Sequence, residues 1–435
     1  MFNFKSRIFF YAKIVFLAVF VFSAQVFATD NELLDSLVER GVLTSEEAKN
    51  IKKQSAEVVV VRSDAKEMSL FARLQMQYLA ISADDGITSE TKEGFHIRRV
   101  YVGVKYKINS AWDGITTIDM LNGTSDEHKL TTTYVRRKID TNFYTGDFRF
   151  GLDADNFGLE DMTSSTRLLT IERSIVTRFF SCDTPEIGKY SYAGYGALKF
   201  GADSLGLYTS GYFFDNKKVL YGASITNPES YTIEFPSENR TIPAFWFNVR
   251  YVDKMSIFGN EYSYEIGSYS GYSPQGSVVL NEPKKYGLVY GFNPFLKITD
   301  NTFTSYADFM FASVEYGRPD GSDCCPFGVN ISAEYKLPFV VGQIAPIMRF
   351  SYLDTDGRGA RLSESVRKSP ALYDDFRQYY DKAVSFYFGF NWYIQNCDVR
   401  LQLAYERSAF WGEVFNNNAE RAKSDAIRMQ LQLLF

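Results

Sequence analysis

The chain has 435 residues, 52 acidic against 47 basic, with 2 His, 4 Cys and 17% aromatic residues, among them 30 Tyr and 38 Phe. Two His leave little room for a His-rich metal centre or a His-centred triad, and the aromatic content excludes a disordered chain. The net charge of −5 argues against a nucleic-acid partner. No run in the body of the chain reaches the roughly 18 apolar residues of a membrane helix, so length leaves two or three ordinary domains or one large β architecture.

Residues 1–28 read as a signal peptide. Lys5, Arg7 and Lys13 form a basic start, residues 14–22 are an apolar run, and Val26 and Ala28 mark a small-residue cleavage site. Subtracting those three cations from 47 leaves 44 basic against 52 acidic residues, a net of −8 for the mature chain. Residues 29–67 read as a short helical periplasmic segment and linker. Leu33, Leu34, Leu37 and Val38 recur at helical spacing, and Thr44 with Glu47 forms a capping box.

From Met68 onward the period becomes two. Leu70, Ala72, Leu74, Met76 and Tyr78 alternate with Arg73, Gln75 and Gln77. Val100, Val102, Val104 and Tyr106 alternate with Arg99, Tyr101, Lys105 and Lys107. The last nine residues place Ile427, Met429, Leu431, Leu433 and Phe435 against Arg428, Gln430 and Gln432. A soluble sandwich would pack the apolar face inward, whereas a membrane barrel turns it to lipid and lines its lumen with the polar face. Strands near the 9–11 residues that cross a bilayer, aromatics at strand ends as in residues 387–393, and a final strand ending on Phe favour the barrel.

Seventeen segments satisfy the pattern: 68–81, 95–108, 112–121, 129–139, 142–150, 194–202, 205–214, 218–226, 244–252, 258–268, 285–294, 304–316, 328–337, 345–353, 383–394, 398–406 and 427–435. Bacterial single-chain barrels have even strand numbers, so the expectation is all-β, a transmembrane antiparallel β-barrel of 16 strands over residues 68–435, with 18 as the alternative. Alternation is poorest in 218–226 and 285–294. It is lost in 151–193, 354–382 and 407–426, which read as loops.

Two stretches carry a family resemblance. Residues 96–120, HIRRVYVGVKYKINSAWDGITTIDM, and residues 157–174, FGLEDMTSSTRLLTIERS, resemble the phosphate-selective porin O and P family. The short GVLTSEEA segment and the terminal Phe are also similar. The resemblance implies a 16-stranded, trimeric outer-membrane barrel through which small hydrophilic solutes, anions and phosphate among them, diffuse. It also implies that 157–174 belongs to a third loop folded into the lumen. Arg98, Arg99 and Arg173 match family positions tied to the anion pathway. Where phosphate-selective members place an anion-contacting Lys after the Phe-Gly-Leu-Glu run, this chain has Asp161, which weakens the case for phosphate selection.

A pore needs no nucleophile, only a polar lumen whose charges select ions. Inward parity gives Arg73, Arg99, Lys105 and Lys107, with Lys199 in a comparable position; the bland reading of each is a solvated lumen charge balanced by a carboxylate. Arg98 falls on the apolar parity and is expected at the extracellular rim, because a lipid-facing Arg at the midplane costs about 2–4 kcal/mol. No cofactor or metal is expected. Cys182, Cys324, Cys325 and Cys397 allow three full disulfide pairings that sequence does not separate. The rival readings are a barrel enzyme, disfavoured because neither His96 nor His128 has a nucleophile at recognisable spacing, and a structural or adhesin barrel with a closed lumen.

Deleting Phe435 is expected to lower the amount of protein in the outer membrane sharply while export stays intact. Quantitative blotting of membrane and periplasmic fractions checks this, and unchanged membrane abundance would remove the role given to the terminal residue.

Overall fold

The computed structural model describes residues 60–63, 66–86, 89–121, 130–141, 143–155, 157–181, 196–198, 200–201, 203–214, 216–227, 243–257, 259–278, 286–362, 378–414 and 421–435. The signal peptide and the helical segment expected before residue 60 lie outside them, as do Lys199, Cys182 and His128.

Sixteen antiparallel strands form the body: β1 (Lys66–Asp84), β2 (Ser89–Lys107), β3 (Trp112–Asp119), β4 (Leu130–Asp140), β5 (Tyr144–Ala154), β6 (Asp203–Phe213), β7 (Val219–Thr226), β8 (Ala244–Ile257), β9 (Asn260–Val278), β10 (Tyr286–Thr299), β11 (Phe303–Val314), β12 (Phe327–Tyr335), β13 (Gln343–Asp354), β14 (Tyr379–Gln395), β15 (Val399–Val414) and β16 (Arg421–Leu434). Each pairs with the next, and β16 pairs with β1 from Lys423 opposite Asp84 to Leu434 opposite Arg73. The sheet is therefore a closed ring without a free edge, as lipid requires of a spanning sheet. The two-residue pieces Leu337–Pro338 and Ala360–Arg361 extend it at its ends, and Val60–Ser63 is a further short strand.

The two ends differ. The connections after β2, β4, β6, β8, β10 and β14 are short turns, while the longest connecting stretches of sequence, between β5 and β6, β7 and β8, and β13 and β14, join strands at the opposite end. Local chemistry makes the short turns. Asn109 Oδ1 accepts the N–H groups of Ala111 and Trp112, each at 2.9 Å. Asp300 Oδ1 accepts those of Thr302 and Phe303, and these N–H groups hold its carboxyl below the usual carboxylate range. Phe143, Phe214, Tyr335 and Phe339 stand exposed at this end, an aromatic rim beneath the apolar band.

Alternation sets the faces. On β16, Ser424, Ala426, Arg428, Gln430 and Gln432 are buried inside, and Ile427, Met429, Leu431 and Leu433 point out. At the closing seam Gln75 donates to Gln432 and Gln77 to Gln430, each at 2.7 Å, while Gln430 donates to Gln402 and Gln402 to Asn391, each at 2.8 Å. A belt of side-chain amides thus runs along the inner wall of β1, β16, β15 and β14.

Three expectations are corrected. The segment 194–202 is not a strand: in its described part Leu198 N–H donates to Phe179 O and Phe200 N–H to Phe180 O, each at 2.7 Å, so it lies against the inserted loop instead of in the ring. Its described residues are all buried, with no inside-outside alternation. The poorly alternating 218–226 and 285–294 are real strands, β7 and β10. Part of what read as loop in 354–382 and 407–426 is strand, since β14 begins at Tyr379, β15 runs to Val414 and β16 begins at Arg421.

Arg98 is the third correction. The β1–β2 register pairs Gln75 with Arg99 but Met76 with Ile97, which makes Arg98 the extra residue of a β-bulge. The bulge reverses the parity of β2, so Ile97 and Phe95 face out while both Arg98 and Arg99 turn inward, 3% and 4% exposed. Arg98 is therefore in the lumen and not at the rim. Cys324, Cys325 and Cys397 are free thiols, the first two in a long-end loop and the third in a short turn at the opposite end.

A ring closed by backbone hydrogen bonds is expected to survive unboiled in detergent. Unboiled and boiled samples should migrate differently on gels, with a β-dominated far-ultraviolet spectrum; a helix-dominated spectrum would overturn the fold.

Candidate functional site

The loop between β5 and β6 is built to enter the barrel. Gly158 takes φ +85° and begins α1 (Leu159–Met162). Gly201 also takes φ +85°, and a Cβ there would sit 2.8 Å from Phe157 Cβ, so the base of the loop closes only on glycine. Ser174 caps α2 (Ile175–Phe180), its hydroxyl accepting from Thr177 N–H at 3.1 Å. Glu160 ties the pieces together: it accepts from Ser174 N–H at 2.8 Å, the Thr177 hydroxyl at 2.7 Å and the Tyr306 hydroxyl of β11 at 2.6 Å. Burial would raise its carboxyl, but the nearby Arg349 guanidinium and these donors hold it below the usual range.

An apolar cluster seats the loop against one side of the wall. Phe157, Phe200 and Trp246 of β8 pack with ring centroids 4.8–6.1 Å apart, and Phe179 and Phe180 are fully buried beside them. Phe200 fits because β9 and β10 have glycine there; a Cβ on Gly291 would lie 1.9 Å from its ring.

Polar contacts pin the rest of the loop to the opposite wall. Arg98 donates twice to Glu172, at 2.6 and 3.1 Å, with Arg99 at 3.9 Å from the same carboxylate and Gln77 donating to it at 3.1 Å. Arg349 of β13 donates to Thr170 Oγ1 at 3.0 Å and Glu172 O at 2.7 Å, and Arg400 of β15 to Leu168 O at 2.9 Å. Asn391 donates to Leu169 O at 2.8 Å, and Ile171 N–H to the Tyr387 hydroxyl at 3.1 Å. Below the loop, Glu406 of β15 receives Arg349 at 2.9 Å, Arg428 at 3.3 Å and Arg178 at 3.8 Å. These groups are at most 5% exposed, so they anchor the loop and do not face a solvent path.

The more accessible inward charges lie on β3–β5, β8 and β9, and on the free side of the loop. Arg136 holds Asp113 at 2.6 and 2.9 Å, with Lys138 2.7 Å from the same carboxylate. Arg149 pairs with Asp147 at 3.2 Å and with Asp153, and Arg250 with Glu265 at 3.2 Å. On the loop, Arg173 Nε lies 3.1 Å from Asp161 Oδ1, each side chain 12% exposed. Burial alone would lower the Arg173 guanidinium, but Asp161 and Glu160 outweigh it and hold it above its usual value. Each of these cations is matched by a carboxylate.

The other expected residues fall as follows. Arg73 stacks over Tyr101 at 4.9 Å and donates to Ser165 of the loop at 2.7 Å. Lys105 is exposed with its ammonium 5.2 Å from the centre of the Phe71 ring, and Lys107 is 3.8 Å from Glu67 at the short-turn end. Glu172, Glu406, Arg349 and the Arg136–Asp113 pair were not singled out in the sequence. Their inward parity is visible there, but which cation meets which carboxylate is set by the shear of the ring.

Residues 70–217 match the family model of phosphate-selective porin O and P. The family resemblance is thus shown over β1–β6 and the inserted loop. Solved structures with the same fold include OmpF of Salmonella typhi in complex with daunomycin, at 11% identity and TM-score 0.52, covering 86% of this chain and 100% of that one. An anion-selective porin from Comamonas acidovorans aligns at 11% identity and TM-score 0.51, over 85% and 100% of the two chains. The outer membrane channel DcaP of Acinetobacter baumannii aligns at 12% and 0.50, over 86% and 99%. At such identities the likeness is one of fold. No curated protein matches the chain. All eight expected residues fall within residues 70–217, and the structure places five of them, Arg73, Arg98, Arg99, Asp161 and Arg173, on or against the inserted loop.

Glu172→Gln is expected to loosen this loop. It leaves the Arg98 and Arg99 guanidinia buried without their carboxylate, and breaking one side of such a pair costs about 3–5 kcal/mol. Limited proteolysis of the folded barrel should then nick residues 157–181; a loop as protected as in the parent would show that Glu172 does not hold it.

Proposed function

We propose that the chain is an outer-membrane porin, a water-filled barrel through which small hydrophilic solutes diffuse passively, with its long loops outside the cell. The observation that carries this is the third loop, folded inward and anchored by Glu172, in a closed 16-stranded ring with an apolar exterior. On this reading the loop narrows the lumen and leaves a polar path beside it. Nothing in this reading requires a nucleophile, and conductance is what distinguishes it from the enzyme and closed-barrel alternatives. Export by a signal peptide and assembly as a homotrimer complete the reading, supported by the N-terminal pattern and the family resemblance.

The finer reading is a preference for small anions. Arg73, Lys105 and Arg173 support it, and the family resemblance points the same way. Phosphate selection has weaker support, because Asp161 stands where phosphate-selective members carry a Lys and pairs with Arg173. Arg98 and Arg99 enter this reading through the loop they hold, Lys107 as a charge of the periplasmic mouth, and Lys199 on sequence alone.

Purified protein in a planar bilayer is expected to give open, voltage-stable conductance steps; silence in correctly folded barrels would overturn the porin reading. Asp161→Lys changes the local charge by two units and should raise the anion-to-cation permeability ratio, while Arg173→Ala should lower it. Both effects should shrink at 1 M salt, where the Debye length is about 3 Å. A ratio unmoved by both substitutions at low salt would remove residues 157–174 from the conduction path.

A further inference from the structure

Near the long-loop end of the closing seam the outward face changes character. Along β16 the outward positions run Leu433, Leu431, Met429 and Ile427, then Asp425, Lys423 and Arg421. Along β15 they run Leu401, Leu403 and Tyr405, then Arg407, Ala409 and Trp411. The register sets Arg407 opposite Asp425, Ala409 opposite Lys423, Trp411 opposite Arg421, and Lys423 opposite Asp84 of β1. Ala409 is the smallest side chain in this array, and over it lies a hollow of about 640 Å³ bordered by Arg407, Trp411, Arg421, Lys423 and Asp84. These cations point away from the lumen, because their neighbours Glu406, Ser408, Ala422 and Ser424 are the buried, inward ones.

Depth fixes what the hollow meets. A strand rises about 3.3 Å per residue, and barrel strands tilt by about 40°. The ten residues from Phe435 up to Asp425 therefore climb about 25 Å, the height of the apolar band. Arg407 lies at the upper edge of the hydrocarbon, just above the ring of Tyr405, and Lys423 and Arg421 lie in the layer beyond. That layer holds the headgroups of the outer leaflet.

Charge completes the argument. Three cations face two carboxylates: Lys423 is 3.2 Å from Asp84 and Arg407 is 3.8 Å from Asp425, with the Tyr405 hydroxyl also donating to Asp425. Arg421 is exposed and makes no ion pair among the described residues. Two guanidinia and an ammonium around a hollow, with an indole on one wall, suit a phosphorylated sugar: the planar forks take phosphate oxygens and the indole covers a sugar face.

We propose that this hollow on the outer face of β15, β16 and β1 holds the phosphorylated headgroup of an outer-leaflet glycolipid. The proposal rests on the outer-membrane reading above, which supplies the leaflet. The site has no part in the solute path, since none of its cations faces the lumen.

The test uses the full-length protein in detergent with three probes: diphosphoryl lipid A, the same lipid after phosphatase treatment, and inorganic phosphate. Native mass spectrometry reads the lipid retained per protomer. A cation beside an anionic lipid surface contributes about fivefold in affinity, so Arg421→Ala should weaken retention about fivefold. The triple variant Arg407→Ala, Arg421→Ala, Lys423→Ala should weaken it roughly a hundredfold. Dephosphorylated lipid A should bind the parent as weakly as intact lipid A binds the triple variant. Gel heat-modifiability shows that each variant is folded, and bilayer conductance separates this proposal from the porin reading, because the triple variant should conduct like the parent. Undiminished lipid A retention by the folded triple variant would overturn the proposal. Equal retention of the dephosphorylated lipid, or full displacement by millimolar inorganic phosphate, would overturn it as well.

Discussion

Every backbone N–H and C=O that meets lipid must find its partner inside the sheet, and an edge at bilayer depth would leave a whole row of them unmet. In this chain the requirement falls on one seam. The last strand must reach the first across more than three hundred residues of sequence, and it does so over twelve paired positions from Lys423 to Leu434. The amides of Gln75, Gln77, Gln430 and Gln432 repeat that closure on the inner face. Everything inside the ring depends on this closure, because the loop is held by residues from β1, β2, β13, β14, β15 and β16, which become neighbours only when the ring is shut.

The interior is two environments in one lumen. Behind the loop it is close to a protein core, with buried phenylalanines and with guanidinia that are tolerated because Glu172 and Glu406 each collect several of them. In front of the loop the charges are half-buried and paired side by side. The same residue type serves both: an Arg under the loop fixes structure, and an Arg on the free side sets the local field. Desolvation, and not sequence, separates the two roles, since charges taken out of water must be matched closely while those in water need not be.

The barrel was legible because lipid on one face and water or loop on the other imposes a two-residue period that residues such as 427–435 repeat faithfully. That period is lost where the outward face leaves the hydrocarbon, which is why Arg421, Lys423 and Asp425 begin a strand in a stretch that reads as a loop. The inserted loop was legible through its resemblance to the porin O and P family, and Asp161 and Arg173 do meet. The ion-pair partners were not legible. Glu172 with Arg98 spans 74 residues and Arg349 with Glu406 spans 57, and only the register of the closed ring decides such encounters. Arg98 was misplaced for a simpler reason: strict alternation has no term for an inserted residue.

That inserted residue has a consequence for how this barrel can vary. On either side of Arg98 the strand keeps its own inside-outside phase, and the two phases join only because one residue is left over. Removing Arg98 would leave Ile97 outward and Arg99 inward, so both halves of β2 would stay matched to lipid and lumen with the ring still shut. The position behaves as a detachable insert. The barrel can gain or lose one lumen guanidinium there without re-phasing a single neighbour, so the grip on the loop can be altered at a site where the sheet itself is indifferent to chain length.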